Sequence, residues 1–196
     1  MNEVEKMCEG QWYNANFDQD LIRLREETDA LVNAYNQHPY QDIEERESLI
    51  SKIFPHKEKS AIVMAPFYTD YGRFTEIGAN TFINRGAYFM DGGQIEIGKN
   101  CFIGPQCSFY TANHPLLASQ RNLGFEQAKP IHVGNDVWIG GDVTILPGVT
   151  IGDKAVIGAK SLVTKDIPAS CLAYGNPCKV IRLLTTEDQV DIEKGR

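Results

Sequence analysis

The apolar residues of the first 57 positions recur at intervals of three and four, which is the period of an α-helix. They predict a first helix, after a capping Asp18, whose buried face is formed by Leu21, Leu24, Thr28, Leu31 and Tyr35. A second helix is expected from about Asp42 to Phe54, because Pro55 would end it there. Two short helices bury little surface alone, so we expect them to pack on another part of the chain.

From about Val63 onward the period changes to six residues. An aliphatic residue occupies every sixth position in the series Val133, Ile139, Ile145, Ile151, Ile157 and Val163. The same step occurs earlier in Ile77, Ile83 and Phe89, and in Ile97, Ile103 and Phe109, with a shift of register at Gly92–Gly93. The position four residues after each of them is mostly small, as at Val137, Ala155 and Ser161. This pattern is typical of a parallel β-helix, in which three hexapeptides form one triangular coil.

Residues 18 apart should then stack on one face, at the strand spacing of about 4.8 Å. This register places Val133 against Ile151, Ile139 against Ile157, and Ile145 against Val163. A glycine follows many of the aliphatic positions, and we expect it to allow corner backbone angles that side chains resist. The six-residue period does not determine the handedness of the helix.

The repeat is interrupted between Tyr110 and His132, where the chain reads TANHPLLASQRNLGFEQAKPI. A long insertion in a tight solenoid usually has a function. It contains His114, and Pro115 restricts the backbone of that histidine to an extended conformation. His114 is therefore the candidate for chemistry, and the alternative is an ordinary surface histidine.

Composition narrows the range of functions. The chain has 196 residues, a net charge of −7 and a pI near 5.1, which argues against general nucleic-acid binding. No apolar run approaches the roughly 20 residues of a membrane span, and the charged N-terminus lacks a signal core. The five cysteines form no CxxC pair, so a zinc site or disulfide framework fits poorly. We expect a cytoplasmic protein that requires no metal and binds no membrane or nucleic acid.

Several longer strings carry a family resemblance. They are TANHP, E-x-x-K-P-I-x-V-G-x-D-V-W-I-G-G, P-G-V-T-I-G-D-K-A-V-I-G, G-N-P-C-K-V-I-R and the N-terminal C-E-G-Q-W-Y-N-A-N-F-D-Q-D-L. Over about residues 5–184 the chain resembles the maltose and galactoside O-acetyltransferase family. The resemblance implies a left-handed β-helix with acetyl-CoA as cosubstrate. It also implies a helical cap at 1–57, the β-helix with its loop 110–132 and C-terminal segment at 58–184, and a tail at 185–196.

The resemblance also implies roles for individual residues. His114 matches the general base, and the positions near the acceptor are Asp70, Asn84 and Asp91. The positions that match coenzyme contacts are Asn84, Trp138, Gly141, Ala159, Thr164, Lys165, Lys179 and Arg182. Gly141 stands where some members have serine, so only its backbone N–H is available. An acidic residue of the family near Asn14 or Ala15 is not evident.

The chemistry that these roles require is simple. A base must take the proton of an alcohol as it attacks a thioester, and N–H donors must stabilise the resulting oxyanion. Histidine suits the first task, and direct transfer needs neither an enzyme nucleophile nor a metal. The resemblance implies a sugar or sugar-like acceptor and a homotrimer. The flat faces of a prism and a projecting loop favour a closed cyclic assembly, and the number three comes from the resemblance.

Each assignment has an alternative. Asp70 and Asp91 could be turn formers, and Asn84 could occupy a corner in a left-handed conformation. Trp138 could pack on the outside of a strand, while Lys179 and Arg182 could be solvated charges, although K-V-I-R suggests a short strand. At the level of function, a xenobiotic O-acetyltransferase and a non-catalytic β-helix remain open. A γ-type carbonic anhydrase needs three histidine ligands, and the repeat region offers only His114 and His132.

Overall fold

The computed structural model describes residues 1–192, and the end of the expected tail, residues 193–196, lies outside them. Its α-helices are α1 (Glu3–Cys8), α2 (Gln19–Gln37), α3 (Ile43–Ile53) and α4 (Ala118–Arg121), followed by a 3₁₀ turn at Thr186–Asp188. The two helices expected from the sequence are confirmed as α2 and α3. Asp18 caps α2 by accepting a hydrogen bond from the Leu21 N–H at 3.0 Å. No helix in the described part of the chain is both long and apolar enough to cross a bilayer.

Twenty short strands lie in the remaining described chain. They are β1 (Trp12–Asn14), β2 (His56–Lys57), β3 (Ile62–Val63), β4 (Tyr68–Thr69), β5 (Thr75–Ile77), β6 (Phe82–Ile83), β7 (Tyr88–Met90), β8 (Ile95–Ile97), β9 (Phe102–Ile103), β10 (Ser108–Tyr110), β11 (Ala112–Asn113), β12 (Phe125–Ala128), β13 (Ile131–Val133), β14 (Trp138–Ile139), β15 (Thr144–Ile145), β16 (Thr150–Ile151), β17 (Val156–Ile157), β18 (Leu162–Val163), β19 (Cys171–Tyr174) and β20 (Lys179–Leu183).

Three parallel sheets form the faces of a triangular prism. Sheet I contains β2, β5, β8, β13 and β16, and sheet III contains β4, β7, β10, β15 and β18. Sheet II contains β3, β6, β9, β14, β17 and β19, and ends in β20, which pairs with β19 in the antiparallel sense. The expected register is confirmed, because Val133 pairs with Ile151, Ile139 with Ile157, and Ile145 with Val163.

The expected role of the repeat glycines is wrong. Positive φ angles fall two residues after each glycine, on residues such as Asn100 (57°), Asp136 (57°) and Asp142 (59°). The glycines are needed because neighbouring coils approach too closely for a side chain. A Cβ on Gly140 would lie 2.7 Å from the backbone nitrogen of Ala159. Asn84 is not among the residues with positive φ, so its left-handed alternative is also wrong.

The prism interior is filled by the repeat residues and closed at one end by the helices. Phe89 stacks on Phe109 with ring centroids 5.2 Å apart, and Phe54, just after α3, packs edge-on against Phe89 at 5.5 Å. Val32 of α2 and Ile50 of α3 belong to the same buried cluster as the prism core. The helical segment therefore caps the prism, which explains how two short helices remain folded.

Extra residues are concentrated at one edge of the prism, where the chain passes from sheet III to sheet I. Some coils after the loop have 18 residues. Before the loop a coil has 20 residues, because Tyr68 pairs with Tyr88 and Glu76 pairs with Glu96. Glu96 then pairs with His132, 36 residues later, because the whole loop is inserted at this edge. We call it the loop edge. The edge between sheets II and III keeps the six-residue step, and we call it the Asn84 edge.

Candidate functional site

The loop that carries His114 is held by a small antiparallel sheet. Strand β12 pairs on one side with β11, immediately before His114, and on the other with β1 from the N-terminal segment. Beneath this sheet, Met7, Tyr13 and Ala128 belong to a buried cluster that also contains Tyr71 of the loop edge. The N-terminal segment therefore caps the prism and also fixes the base of the loop.

His114 is held in one tautomer by a backbone carbonyl. Its Nδ1 lies 3.2 Å from the carbonyl oxygen of Phe125, and its side chain is 45% exposed. A carbonyl oxygen only accepts, so Nδ1 must donate, and the neutral ring then carries its lone pair on Nε2. His114 also borders a cavity of about 450 Å³, together with Trp12, Pro115, Leu116, Gln120, Leu123 and Phe125. A proton acceptor is thus available beside a space large enough for a small molecule.

A carboxylate lies next to the free nitrogen of His114. Glu126 Oε1 is 3.6 Å from His114 Nε2, and its other oxygen, Oε2, accepts a hydrogen bond from the Tyr13 hydroxyl at 2.9 Å. Tyr13 is buried and pairs directly with Glu126 across β1 and β12, and burial, together with the nearby Glu126 charge, raises the pKa of Tyr13. Neither residue was expected at the site from the sequence. The available signal is that Glu126 is the single acidic residue of the inserted loop.

The two aspartates assigned to the acceptor both lie at the loop edge, in different surroundings. Asp70 accepts a hydrogen bond from the Tyr88 hydroxyl at 2.6 Å, and burial raises its pKa. Asp91 is fully buried and accepts hydrogen bonds from Thr69 Oγ1, the Tyr71 N–H and Thr75 Oγ1. Burial raises the pKa of Asp91 to about 6. This position favours the turn-shaping alternative for Asp91, whereas Asp70 retains an oxygen for other contacts.

Three of the residues that match coenzyme contacts lie along the Asn84 edge. The N–H groups of Asn84, Gly104, Gly140 and Gly158 each donate to the next coil at 2.8–3.0 Å, which stacks these corners in a column. Asn84 Oδ1 accepts from the Arg85 N–H, so its amide NH₂ remains available. Within residues 1–192, the N–H of Gly141 has no recorded protein acceptor. Ala159, which lies one coil beyond Gly141, is exposed.

The other matching positions are distributed around this column. Trp138 is 57% exposed on the outer face of sheet II, and Lys179 and Arg182 lie on the exposed strand β20, as the alternation in K-V-I-R suggested. Thr164 and Lys165 follow β18 and therefore lie at the loop edge. The guanidinium of Arg182 binds both carboxylate oxygens of Asp188, at 2.8 and 2.5 Å, and this pairing lowers the pKa of Asp188 to about 2.

The candidate residues thus form two groups on different edges of one chain. His114, Asp70, Thr164 and Lys165 are at the loop edge, while Asn84, Gly141 and Ala159 are at the Asn84 edge. A six-residue step along an extended strand spans up to about 20 Å, which is far more than the roughly 3–3.5 Å between reacting atoms. One copy of the chain therefore does not bring the two groups together. Among the described residues, no group of three or more His, Cys, Asp or Glu side chains is arranged to hold a metal ion.

Comparisons with known proteins agree with this architecture. Residues 6–58 match the maltose acetyltransferase hexapeptide capping motif, and residues 130–165 match the bacterial transferase hexapeptide of six repeats. A Staphylococcus aureus (strain Mu50) protein named as an acetyltransferase is 50% identical over 187 residues, which are 95% of this chain and 94% of that protein.

Solved structures extend the likeness to three dimensions. A maltose O-acetyltransferase from Clostridium difficile 630 superposes with a TM-score of 0.91 at 43% identity, covering 94% of this chain and 98% of that one. A galactoside acetyltransferase in complex with coenzyme A also gives 0.91, at 37% identity, covering 96% and 94%. The prism is accordingly the left-handed β-helix of these proteins, and coenzyme A is the cofactor. The chain belongs to the hexapeptide-repeat acetyltransferase family, in the branch that carries the maltose acetyltransferase cap.

Proposed function

We propose that this acetyltransferase moves the acetyl group of acetyl-CoA to a hydroxyl of a sugar or sugar-like acceptor, with His114 as the general base. The observation that carries the proposal is the hydrogen bond from His114 Nδ1 to the Phe125 carbonyl, which leaves the lone pair of the neutral ring on Nε2, in a side chain that borders the cavity. A hydroxyl that donates to Nε2 loses its proton to that nitrogen as it attacks. The bound coenzyme supplies an acyl group activated as a thioester.

The Asn84 edge fits the coenzyme. The Asn84 amide and the unpaired Gly141 N–H are donors that suit a developing negative charge on a carbonyl oxygen. Ala159 and Trp138 offer an exposed, weakly polar path away from them. Lys179 adds positive charge at its far end, beside Arg182, whose guanidinium is paired with Asp188. In an otherwise acidic protein, these cations suit the phosphates of the coenzyme.

The division of the site between two edges supports a closed homo-oligomer, and the family resemblance supports three copies. If His114 of one copy meets the Asn84 edge of the next, a closed ring completes every site with identical contacts. Exposed apolar surfaces support this pairing. Leu116, Leu117 and Leu123 project from the loop, while Ile62, Phe102 and Trp138 form an exposed column on sheet II beside the Asn84 edge. Thr164 and Lys165 would then reach the coenzyme from the copy that supplies His114.

The N-terminal cap gives evidence on the acceptor, and the cysteines give evidence on the cellular location. Trp12 of strand β1, which belongs to the N-terminal cap, lines the cavity beside His114, and this favours the sugar family over a xenobiotic acetyltransferase. We place the protein in the cytoplasm, because all five of its cysteines, each within the described residues, are free thiols.

The deciding experiment measures thiol release from acetyl-CoA with a panel of sugars, glycosides, nucleosides and antibiotic alcohols. His114→Ala should lower kcat by 10²–10⁴-fold, about 3–5 kcal/mol of barrier, while leaving coenzyme binding intact. His132→Ala is the matched control, since His132 also lies beside a glutamate, with its Nδ1 2.9 Å from Glu96 Oε2, but on sheet I. A His114→Ala variant with more than about a tenth of wild-type turnover would show that another group is the base. Antibiotics as the best acceptors would favour the xenobiotic alternative.

A further inference from the structure

Glu126 Oε1 is a hydrogen-bond acceptor that lies next to His114 Nε2, the nitrogen of the proposed base. The other oxygen of this carboxylate, Oε2, accepts a hydrogen bond from the Tyr13 hydroxyl. Within the described residues, Oε1 has no hydrogen bond, and its one ionic neighbour is His114 Nε2 at 3.6 Å. That separation is longer than a hydrogen bond. A carboxylate that only positioned the imidazole would bind the ring N–H, but Nδ1 already donates to the Phe125 carbonyl. Glu126 Oε1 is therefore close enough to Nε2 for one acceptor molecule to contact both atoms.

Two hydrogen-bond acceptors, side by side, require two donors on the ligand. A single hydroxyl has one proton, so the reacting hydroxyl satisfies Nε2 and leaves Oε1 unpaired. Two gauche hydroxyls on neighbouring carbons lie about 3 Å apart, and hydroxyls on alternate carbons reach a similar separation. Roughly parallel hydrogen bonds from such a pair would span the 3.6 Å between Nε2 and Oε1.

We propose that Glu126 is a specificity-determining residue that binds a second hydroxyl, adjacent to the one that reacts, so that the enzyme selects 1,2- or 1,3-diols. The inference rests on the proposed function, because it takes His114 as the base. Tyr13 holds the carboxylate in place from the neighbouring strand β1, and the charges of Asp70 and Glu126 repel each other. An acceptor without the second hydroxyl leaves a partly desolvated carboxylate oxygen unpaired, which costs affinity in the transition state.

The test compares matched alcohols that differ by one hydroxyl. The probes are cyclohexanol, cis-cyclohexane-1,2-diol and cis-cyclohexane-1,3-diol, with methyl glucoside as a sugar, and the readout is kcat/KM for each. The wild-type enzyme should prefer at least one diol over the mono-alcohol by about 10- to 100-fold, the range expected for a hydrogen bond to a charged group. Glu126→Gln should reduce that preference to less than about threefold, because its amide keeps the Tyr13 bond through oxygen but offers the second hydroxyl only a neutral N–H group, whose hydrogen bond is weaker than one to a carboxylate.

The matched control is Glu96→Gln, which removes the carboxylate of the His132 pair on sheet I and should preserve the diol preference. Coenzyme A binding by each variant shows that the fold is intact. Equal kcat/KM for cyclohexanol and both diols, or a preference that survives in Glu126→Gln, would overturn the inference while the proposed function stands. Failure to acetylate any alcohol, diol or glycoside would overturn both.

Discussion

Mixing two inactive variants tests whether each active site is shared between copies. His114→Ala damages the loop edge, and Asn84→Ala damages the Asn84 edge, so neither variant should be active by itself. Loss of a general base costs 10²–10⁴-fold, and loss of an oxyanion donor costs about 10²–10³-fold. Each parent should therefore retain about 1% or less of the wild-type rate.

The recovery in mixed trimers follows from the geometry. An intact site needs His114 from one copy, which must be the Asn84→Ala chain, and Asn84 from its neighbour, which must be the His114→Ala chain. Every closed ring that contains both chains has one such junction among its three, so about a third of the sites are intact in trimers that carry both tags. A site contained within one chain would recover nothing, because every chain carries one lesion.

The assay co-expresses the two variants with different affinity tags, purifies the doubly tagged trimers and measures acetyl transfer. The matched control pairs Asn84→Ala with Ala159→Trp, which lie on the same edge, so that no combination restores a site. The two-edge argument would be refuted if the mixed His114→Ala and Asn84→Ala trimers were no more active than that control. Light scattering that showed an active monomer would refute it independently.

Further expectations concern the coenzyme, the prism and its buried charge. Replacing both Lys179 and Arg182 with alanine should raise the KM for acetyl-CoA about tenfold with little change in kcat, and an unchanged KM would remove them from the site. Gly140→Ala should cost about 1–3 kcal/mol of unfolding free energy in a urea titration, because its Cβ would meet the Ala159 backbone. Asp91 has a raised pKa near 6, so the folded state holds its proton more tightly than the unfolded state, and stability should fall as pH rises from about 4 through 6. Asp91→Asn should lack this pH-dependent change in unfolding free energy, which is about 3 kcal/mol. Urea titrations of both proteins at pH 4 and pH 7 measure it.

The fold could be predicted from the sequence because its period is local. Each hexapeptide repeats one apolar position, so the register of sheets I, II and III follows once three steps close a coil. The reason given for the repeat glycines was nevertheless wrong. Contact between successive coils, as between Gly140 and Ala159, is a property of stacking and is invisible within a single repeat.

The site was only partly predictable, for a related physical reason. His114 stands out because it interrupts a regular pattern. Tyr13 and Glu126 are 113 residues apart and become neighbours only when β1 pairs with β12, a contact that no periodicity announces. The burial of Asp91 was equally hidden, since an aspartate before two glycines reads as an exposed turn.

The distribution of insertions suggests how one scaffold accommodates two very different ligands. The Asn84 edge keeps its six-residue step from Asn84 through Gly140 to Gly158, and a regular column of that kind suits an extended coenzyme. At the loop edge, successive coils gain two residues near Asp70, two near Asp91 and the whole His114 loop. These added residues need not fill the prism, so they are free to present polar groups to an acceptor. Differences in acceptor preference among related chains should therefore follow changes at the loop edge, and an exchange of residues 111–130 between relatives should transfer acceptor preference without altering the KM for acetyl-CoA.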